Sequence, residues 1–369
     1  MTIGGLAVYV ALAIAVSIIL FFLQRKIHKK ATWWIALIGF FVKLLLAVLF
    51  AVLAIAITSP LGWTYSFLSV TLYIAFFGDA VADLVGLAYV LCRKKPMNVT
   101  FRGVLGILLA VIFLCYGIVN MQTVVSDEHT YTSSKLRHEY KIVFFADLHY
   151  GWVQTDETVK KTFAKIKAEN PDILLLGGDI TDEYTTKEQM QELYKTIGGL
   201  GIKTYFIYGN HDRQPKADAW ARGRQYTDEE LVEVIEKNGI TILRDEYEYY
   251  ADDLIIMGRE DESTGDDRAK VEDLPARPND VFVLNVDHSP YQKDDIVKTR
   301  ADLQLSGHTH DGQYFPLGVV YALFVQTVCG EFKVGQTDLY VSPGIAGWHD
   351  PVRTEQQCKY EVIYLRPKK

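Results

Sequence analysis

The 369-residue sequence predicts an α/β domain of repeated strand–helix units placed behind an all-α domain of membrane-spanning helices. Two observations separate the halves: apolar runs of spanning length are confined to residues 1–122, and the charge changes sign there. Residues 1–122 hold nine Lys or Arg against two acids, a formal +7, which leaves 29 bases and 43 acids, a formal −14, for the remainder. A third observation sets the α/β class. Short apolar runs of the C-terminal half end in carboxylate, histidine or amide groups, which is chemistry collected at the carboxyl edge of a sheet. The acidic half shows no basic footprint for a phosphate backbone, which argues against nucleic acid as an obligatory partner.

Taken in order, the apolar runs give four spanning helices at about residues 3–23, 33–58, 66–91 and 103–121. Each suits a hydrocarbon core of roughly 30 Å at about 1.5 Å per residue. The basic cluster of the first run follows it, so the run reads as an anchor rather than a cleavable signal. Arg25, Lys26, Lys29 and Lys30 lie between the first two runs, and Arg93, Lys94, Lys95 and Arg102 between the last two. The N-terminal tail and the 59–65 loop carry no base. This asymmetry puts both basic loops in the cytoplasm, with the N-terminus and everything after residue 122 on the far side. Lys43, Asp79 and Asp83 remain within apolar runs. The two acids share a helix face and bracket the depth of Lys43, so the plainer reading is a buried ion pair and the sharper one a polar pocket for a headgroup or an ion.

Residues 123–139 are polar and read as an exposed connector, ahead of a domain over 140–369. Its first strand carries IVFFADLH, residues 142–149, where strand alternation puts Asp147 and His149 on one side. Thr155–Asn170 has helical spacing at Val159, Phe163 and Ile166. The strand Ile173–Leu176 ends in GGDITD, where Gly177 and Gly178 allow the tight turn that brings Asp179 to the same edge. A helix over 186–197 leads to a strand at 203–208 and the GNHD sequence of Asn210, His211 and Asp212. After a helix near 228–238 and short strands at 240–243 and 254–257, residues 259–276 read as an exposed loop. Asp261, Asp266 and Asp267 form its solvated rim. The strand at 281–286 ends in DHSP with His288, and LSGHTHDGQ supplies His308 and His310. A lone histidine is usually a satisfied core residue. Five clusters at successive strand ends, using five of the nine histidines, are not explained by packing. Cys92 and Cys115 read as small hydrophobes. Cys329 and Cys358 lack CxxC spacing and read as unpaired thiols, with a bridge between them the alternative in an oxidising compartment.

DLH at 147–149, GGD at 177–179, GNHD at 209–212, the histidine of DHSP at 288 and GHTH at 307–310 resemble the calcineurin-like metallophosphoesterases, over about residues 140–366. The arrangement is most similar to a membrane-associated bacterial branch. The resemblance implies a four-layer α-β-β-α sandwich with two mixed sheets and a binuclear site. One metal would take Asp147, His149 and His310, the other Asn210, His288 and His308, with Asp179 bridging. It implies that His211 reaches the substrate phosphate and the leaving group, oriented by Asp212 or another acid. Mixed imidazole and carboxylate donors suit two divalent transition-metal ions, Mn, Fe, Zn or Ni, and the resemblance favours Mn. The family pattern has glycine where this chain has Asp311, which bears on the pocket rather than on the ligands. Trp152 and the Trp348–His349 pair line either the entrance or the core.

The expected function is therefore metal-dependent hydrolysis of a phosphomonoester, phosphodiester or pyrophosphate bond by metal-activated water. Substrates would be phosphorylated small molecules, membrane lipids or cell-envelope polymers outside the cytoplasmic membrane. Two other classes compete: a noncatalytic membrane receptor or scaffold that retains the fold, and a transporter built on Lys43, Asp79 and Asp83.

Overall fold

The computed structural model describes residues 33–56, 62–213, 225–263, 268–324 and 327–368, with 11–12, 15–16 and 18–19. The run expected at 3–23 therefore lies largely outside the described residues. By packing, the chain divides into two compact units, 1–119 with 314–317, and 120–313 with 318–369.

In the first unit, α1 (Trp33–Ala56), α2 (Gly62–Arg93) and α3 (Val99–Met121) follow the expected runs. Among the described residues, these three helices are long and apolar enough to cross a membrane. Leu45, Leu91 and Val104 are exposed apolar side chains of the kind a hydrocarbon phase would cover. The expected ion pair is a four-membered network. Lys43 Nζ lies 2.9 Å from Asp79 Oδ2 and 2.5 Å from Asp83 Oδ2, and Arg102 Nε lies 3.3 Å from Asp83 Oδ1. Arg102, assigned above to a cytoplasmic loop, sits in the first turns of α3 and turns inward. Two acids thus meet two bases and the cluster is neutral. Small residues let α2 and α3 approach closely: a Cβ on Gly106 would meet Asp79 Oδ1 at 2.8 Å, and one on Gly78 would meet the Ala110 backbone nitrogen at 2.5 Å.

The second unit opens with β1 (Val124–Ser133) and β2 (Tyr140–Phe145). The stretch expected as a connector is thus mostly strand. Its polar residues alternate with partly buried ones because β1 is an edge strand, paired in parallel with the last strand of the chain. There follow α4 (Asp156–Ala168), β3 (Ile173–Leu176), α5 (Lys187–Gly198), β4 (Lys203–Phe206), the short α6 (Asn210–Arg213), α7 (Asp228–Lys237) and β5 (Ile240–Ile242). The second half contributes β6 (Glu246–Ala251), β7 (Leu254–Gly258), β8 (Phe282–Val286), α8 (Lys293–Thr299), β9 (Leu303–Ser306), α9 (Leu317–Phe324), β10 (Gly330–Val334), β11 (Thr337–Val341) and β12 (Cys358–Pro367). Thr155, Thr186 and Thr227 cap α4, α5 and α7, the last two with reciprocal Gln189 and Glu230 side chains.

Two mixed six-stranded sheets result, in the orders β1-β12-β2-β3-β4-β5 and β10-β11-β9-β8-β7-β6. β2 shows why its sequence is apolar throughout. Val143 and Phe145 pack with Phe163, Met190 and Leu231 of the helices, whereas Ile142 and Phe144 pack with Ile256, Leu284 and Leu305 of the facing sheet. On the outer face of the second sheet, Ile296 of α8 covers Leu339 and Val341. The layers are helix, sheet, sheet, helix. All four cysteines are free.

Replacing Lys43 by Leu leaves two acids facing one base in the first unit and is expected to cost about 3–5 kcal/mol. Thermal denaturation in detergent should show this loss, and Lys43→Leu with Asp79→Leu should recover most of it by restoring neutrality.

Candidate metal centre

β2, β3 and β4 of the first sheet and β8 and β9 of the second end at one edge, and the residues just past each end meet between the sheets. Asp147 and His149 do not lie on an extended strand as alternation predicts. The strand stops at Phe145, and both residues have positive φ, 60° and 44°. Their N–H groups instead donate to Gly178 and Asp179 carbonyls at 3.0 and 3.1 Å, so the ladder is replaced by contact with the β3 turn. Asp179, His308, His310 and Asp311 also have positive φ. Each such conformation costs about 1–2 kcal/mol for a residue with a Cβ, and their clustering at one edge marks a site that the surrounding fold over-determines.

Two ligand trios face each other: Asp147, His149 and His310, and Asp179, His288 and His308. Within the first, His149 Nε2 lies 3.3 Å from His310 Nε2, which lies 3.5 Å from Asp147 Oδ1. Asp179 Oδ2 reaches both trios, at 3.1 Å from His288 Nε2 and 3.8 Å from His149 Nε2. Asn210 opens α6, and its buried Oδ1 receives no hydrogen bond. Six of the seven expected ligands are thus brought together, and Asn210 stands at the start of the helix that follows β4.

The donor set fits divalent transition metals for a further reason. His288 Nδ1 donates to the Gly177 carbonyl at 2.8 Å, which fixes the ring and turns Nε2 inward toward Asp179. His149 Nδ1 faces Asp182 Oδ2 at 3.5 Å, the carboxylate-behind-histidine arrangement common to metal sites. Burial, reinforced by His149 and Arg353, holds His310 well below the usual imidazole range. Burial likewise lowers His308 to about 4, with His288 adding to it. Both rings are neutral donors at ordinary pH. Burial would raise Asp179, but His288 and His211 outweigh it and keep the carboxyl ionised.

His211 stands beside the trios. Its N–H donates to Asp179 Oδ1 at 2.7 Å, and its Nδ1 pairs with Glu183 Oε2 at 3.0 Å. Burial lowers its basicity, but Asp179 and Glu183 more than compensate and raise it to about 9. Trp348 packs on the ring with centroids 5.2 Å apart. Gln313 holds Trp348 in place, donating to its carbonyl at 3.0 Å and accepting from its N–H at 2.8 Å. Trp152 packs against the core instead.

Asp212, expected as an orienting acid, is fully buried and directs its oxygens to backbone. It accepts from Asp179, Ile180, Thr181 and Gly209 N–H groups at 2.7, 3.0, 2.9 and 2.8 Å. The acid seen on His211 Nδ1 is Glu183, which sequence reasoning missed although it directly follows GGDITD. Residues 259–263 also differ from the expected exposed loop: Arg259, Glu260 and Asp261 are buried. Nearby, Arg268 forks onto Asp287 at 3.0 and 2.7 Å and so secures the turn that carries His288. Asp311 takes the left-handed conformation, φ 50° and ψ 35°, that a glycine would adopt there, and Asp tolerates it better than most residues. Arg353, fully buried, donates to the carbonyls of His310, Pro343 and Ala346 at 3.0, 2.6 and 2.6 Å, closing the PVR segment over the histidine turn.

Residues 140–312 match the family described as calcineurin-like phosphoesterase. Among curated proteins, an uncharacterized metallophosphoesterase of Helicobacter pylori J99 is 28% identical over 241 residues, covering 63% of this chain and 60% of the relative. This chain therefore spans about three fifths of that protein's length. A transmembrane protein with metallophosphoesterase domain from Danio rerio is 23% identical, covering 82% of this chain and 73% of the relative. Phosphodiesterase YaeI of Escherichia coli is 28% identical, covering 61% and 81%. Relatives thus include bacterial proteins and a eukaryotic transmembrane protein.

A Cβ at Gly209 would overlap Asp179 Oδ1, and one at Gly307 would overlap Asp147 Oδ2. Gly209→Ala and Gly307→Ala are each expected to weaken metal binding by about 10–100-fold, the range for disturbed ligand support, as measured by equilibrium dialysis against Mn²⁺.

Proposed function

We propose, from the match of residues 140–312 to the family described as calcineurin-like phosphoesterase, that this chain is a binuclear metal-dependent phosphohydrolase. The observation that carries this reading is Asp179 Oδ2 standing between the two sets of histidines, 3.1 Å from His288 Nε2 and 3.8 Å from His149 Nε2. Asp147, His149 and His310 would hold one ion, Asn210, His288 and His308 the second, and Asp179 both. Bound ions of this kind lower the pKa of a water and neutralise phosphate oxygens during in-line displacement.

The remaining chemistry belongs to His211. Protonated and tethered through Nδ1 to Glu183, it presents its other nitrogen to the leaving-group oxygen and donates the proton there. Glu183 stabilises the cationic ring, and Trp348 keeps it from rotating. The complete ligand set favours an enzyme over a noncatalytic receptor. The neutral Lys43, Asp79, Asp83 and Arg102 network favours helix packing over transport.

The substrate class follows from the membrane helices and the charge asymmetry of their loops. Both basic loops lie in the cytoplasm and the phosphoesterase domain outside it, so lipid-linked or cell-envelope phosphates are reached more readily than cytosolic nucleotides. Manganese is the metal favoured, and the bacterial membrane-associated branch the lineage.

A panel of monoesters, diesters, nucleotide pyrophosphates and phospholipids, assayed with the detergent-solubilised chain and added Mn²⁺, tests the activity against Asp179→Asn. No metal-dependent turnover in any class would overturn the enzyme reading. His211→Asn should keep its metal content yet lose about 10²–10⁴-fold in turnover of substrates with poor leaving groups. Activated leaving groups should be much less affected, and Glu183→Gln should shift the same selectivity in the same direction. Protease digestion of residues 123–369 on intact cells should occur without permeabilisation if the orientation is correct.

A further inference from the structure

A second group of metal-type donors lies away from this centre, where β1 and β12 run side by side. Their parallel register sets Asp127 level with Glu361, and Asp127 and His129, two apart on a strand, share a face. One donor atom from each of Asp127, His129 and Glu361 lies within 4.8 Å of the others. Glu361 is fully buried. Its Oε1 accepts from Ser342 Oγ at 2.8 Å, but its Oε2 receives no hydrogen bond, and neither His129 Nε2 nor that oxygen has another partner in hydrogen-bonding geometry.

These two atoms face each other at 3.4 Å. Two ligands held at about 2.0–2.1 Å from one tetrahedral ion stand roughly 3.3–3.4 Å apart. His149 Nε2 and His310 Nε2 in the main centre show the same spacing, 3.3 Å. The surroundings are also those of a built site. His129 Nδ1 lies 3.1 Å from Glu331 Oε1, a carboxylate behind the imidazole, and the Tyr340 ring packs on His129 at 4.3 Å between centroids. Lys359 pairs with Asp127 Oδ2 at 2.7 Å. Three carboxylates face one lysine, and they hold the His129 imidazole above its usual range against the effect of burial, so a divalent cation would take the place of a proton in balancing them.

We propose that Asp127, His129 and Glu361 bind a divalent transition-metal ion, zinc by its donor set, that clips β1 to β12 separately from the phosphoesterase centre. The proposal is independent of the hydrolytic reading. It is tested by counting zinc bound to the full-length chain in detergent, using mass spectrometry of the metal after equilibration and gel filtration. About three equivalents are expected in the unaltered chain and about two in His129→Ala and Glu361→Gln, with zinc affinity at this site lowered at least about 100-fold. Asp179→Asn should lower the count elsewhere and leave this equivalent in place. Asp127→Asn, at a partly exposed strand position, provides a variant that folds if loss of buried Glu361 does not permit folding. Zinc-edge anomalous scattering from crystals of the unaltered chain should show a peak between His129 Nε2 and Glu361 Oε2. A count that is the same in the unaltered chain and His129→Ala, or no peak at that position, would overturn the proposal.

Discussion

The buried carboxylate of Asp212 is the constraint on which the centre depends. It gathers backbone N–H groups from the turn after β3 and from the turn after β4, and so locks Asp179 and Asn210 against each other. Burial and the neighbouring Asp179 push its carboxyl up to about 6 against the pull of these N–H donors, and removing it would leave several buried amides unpaired. Charge-assisted bonds of this kind offset the left-handed backbone of Asp179. The Gly209 and Gly307 positions then allow the turns to close to distances that a Cβ would forbid.

The two sheets divide the ligands between them. The first supplies Asp147, His149 and Asp179, the second His288, His308 and His310, so the cluster forms only when the sheets are packed face to face. The apolar residues of β2 that face the second sheet, Ile142 and Phe144, therefore support the chemistry as well as the core. Outer contacts complete the arrangement: Gly177 orients His288, Asp182 backs His149, Arg268 secures Asp287, and Arg353 ties down the histidine turn. Each is a residue whose effect on metal binding passes through a ligand it positions.

The membrane unit follows a different logic. Its Lys43, Asp79, Asp83 and Arg102 close on one another, two acids with two bases, where small residues allow the helices to approach. Isolated charges in a hydrocarbon phase are costly, and mutual pairing reduces that cost.

How much was legible in the sequence differs by element. The spacing of Val159, Phe163 and Ile166, the apolar runs of β3, β4 and β8, and the six clustered donors at strand ends could be read directly, because hydrophobic period and donor chemistry are local. β1 could not: its alternation of polar and half-buried residues becomes meaningful only beside β12, more than two hundred residues away. Glu183 and Asp212 likewise carried equal chemical credentials, and the folded turns alone decided that one meets the imidazole and the other the backbone. Arg102 read as a loop charge until helix packing set it beside Asp83. For IVFFADLH, the sequence by itself determined which groups offer donor atoms for a metal. Only the tertiary structure decided that they do so from left-handed turns beyond the strand, since the geometry of a ligand depends on hydrogen bonds to segments distant in the chain.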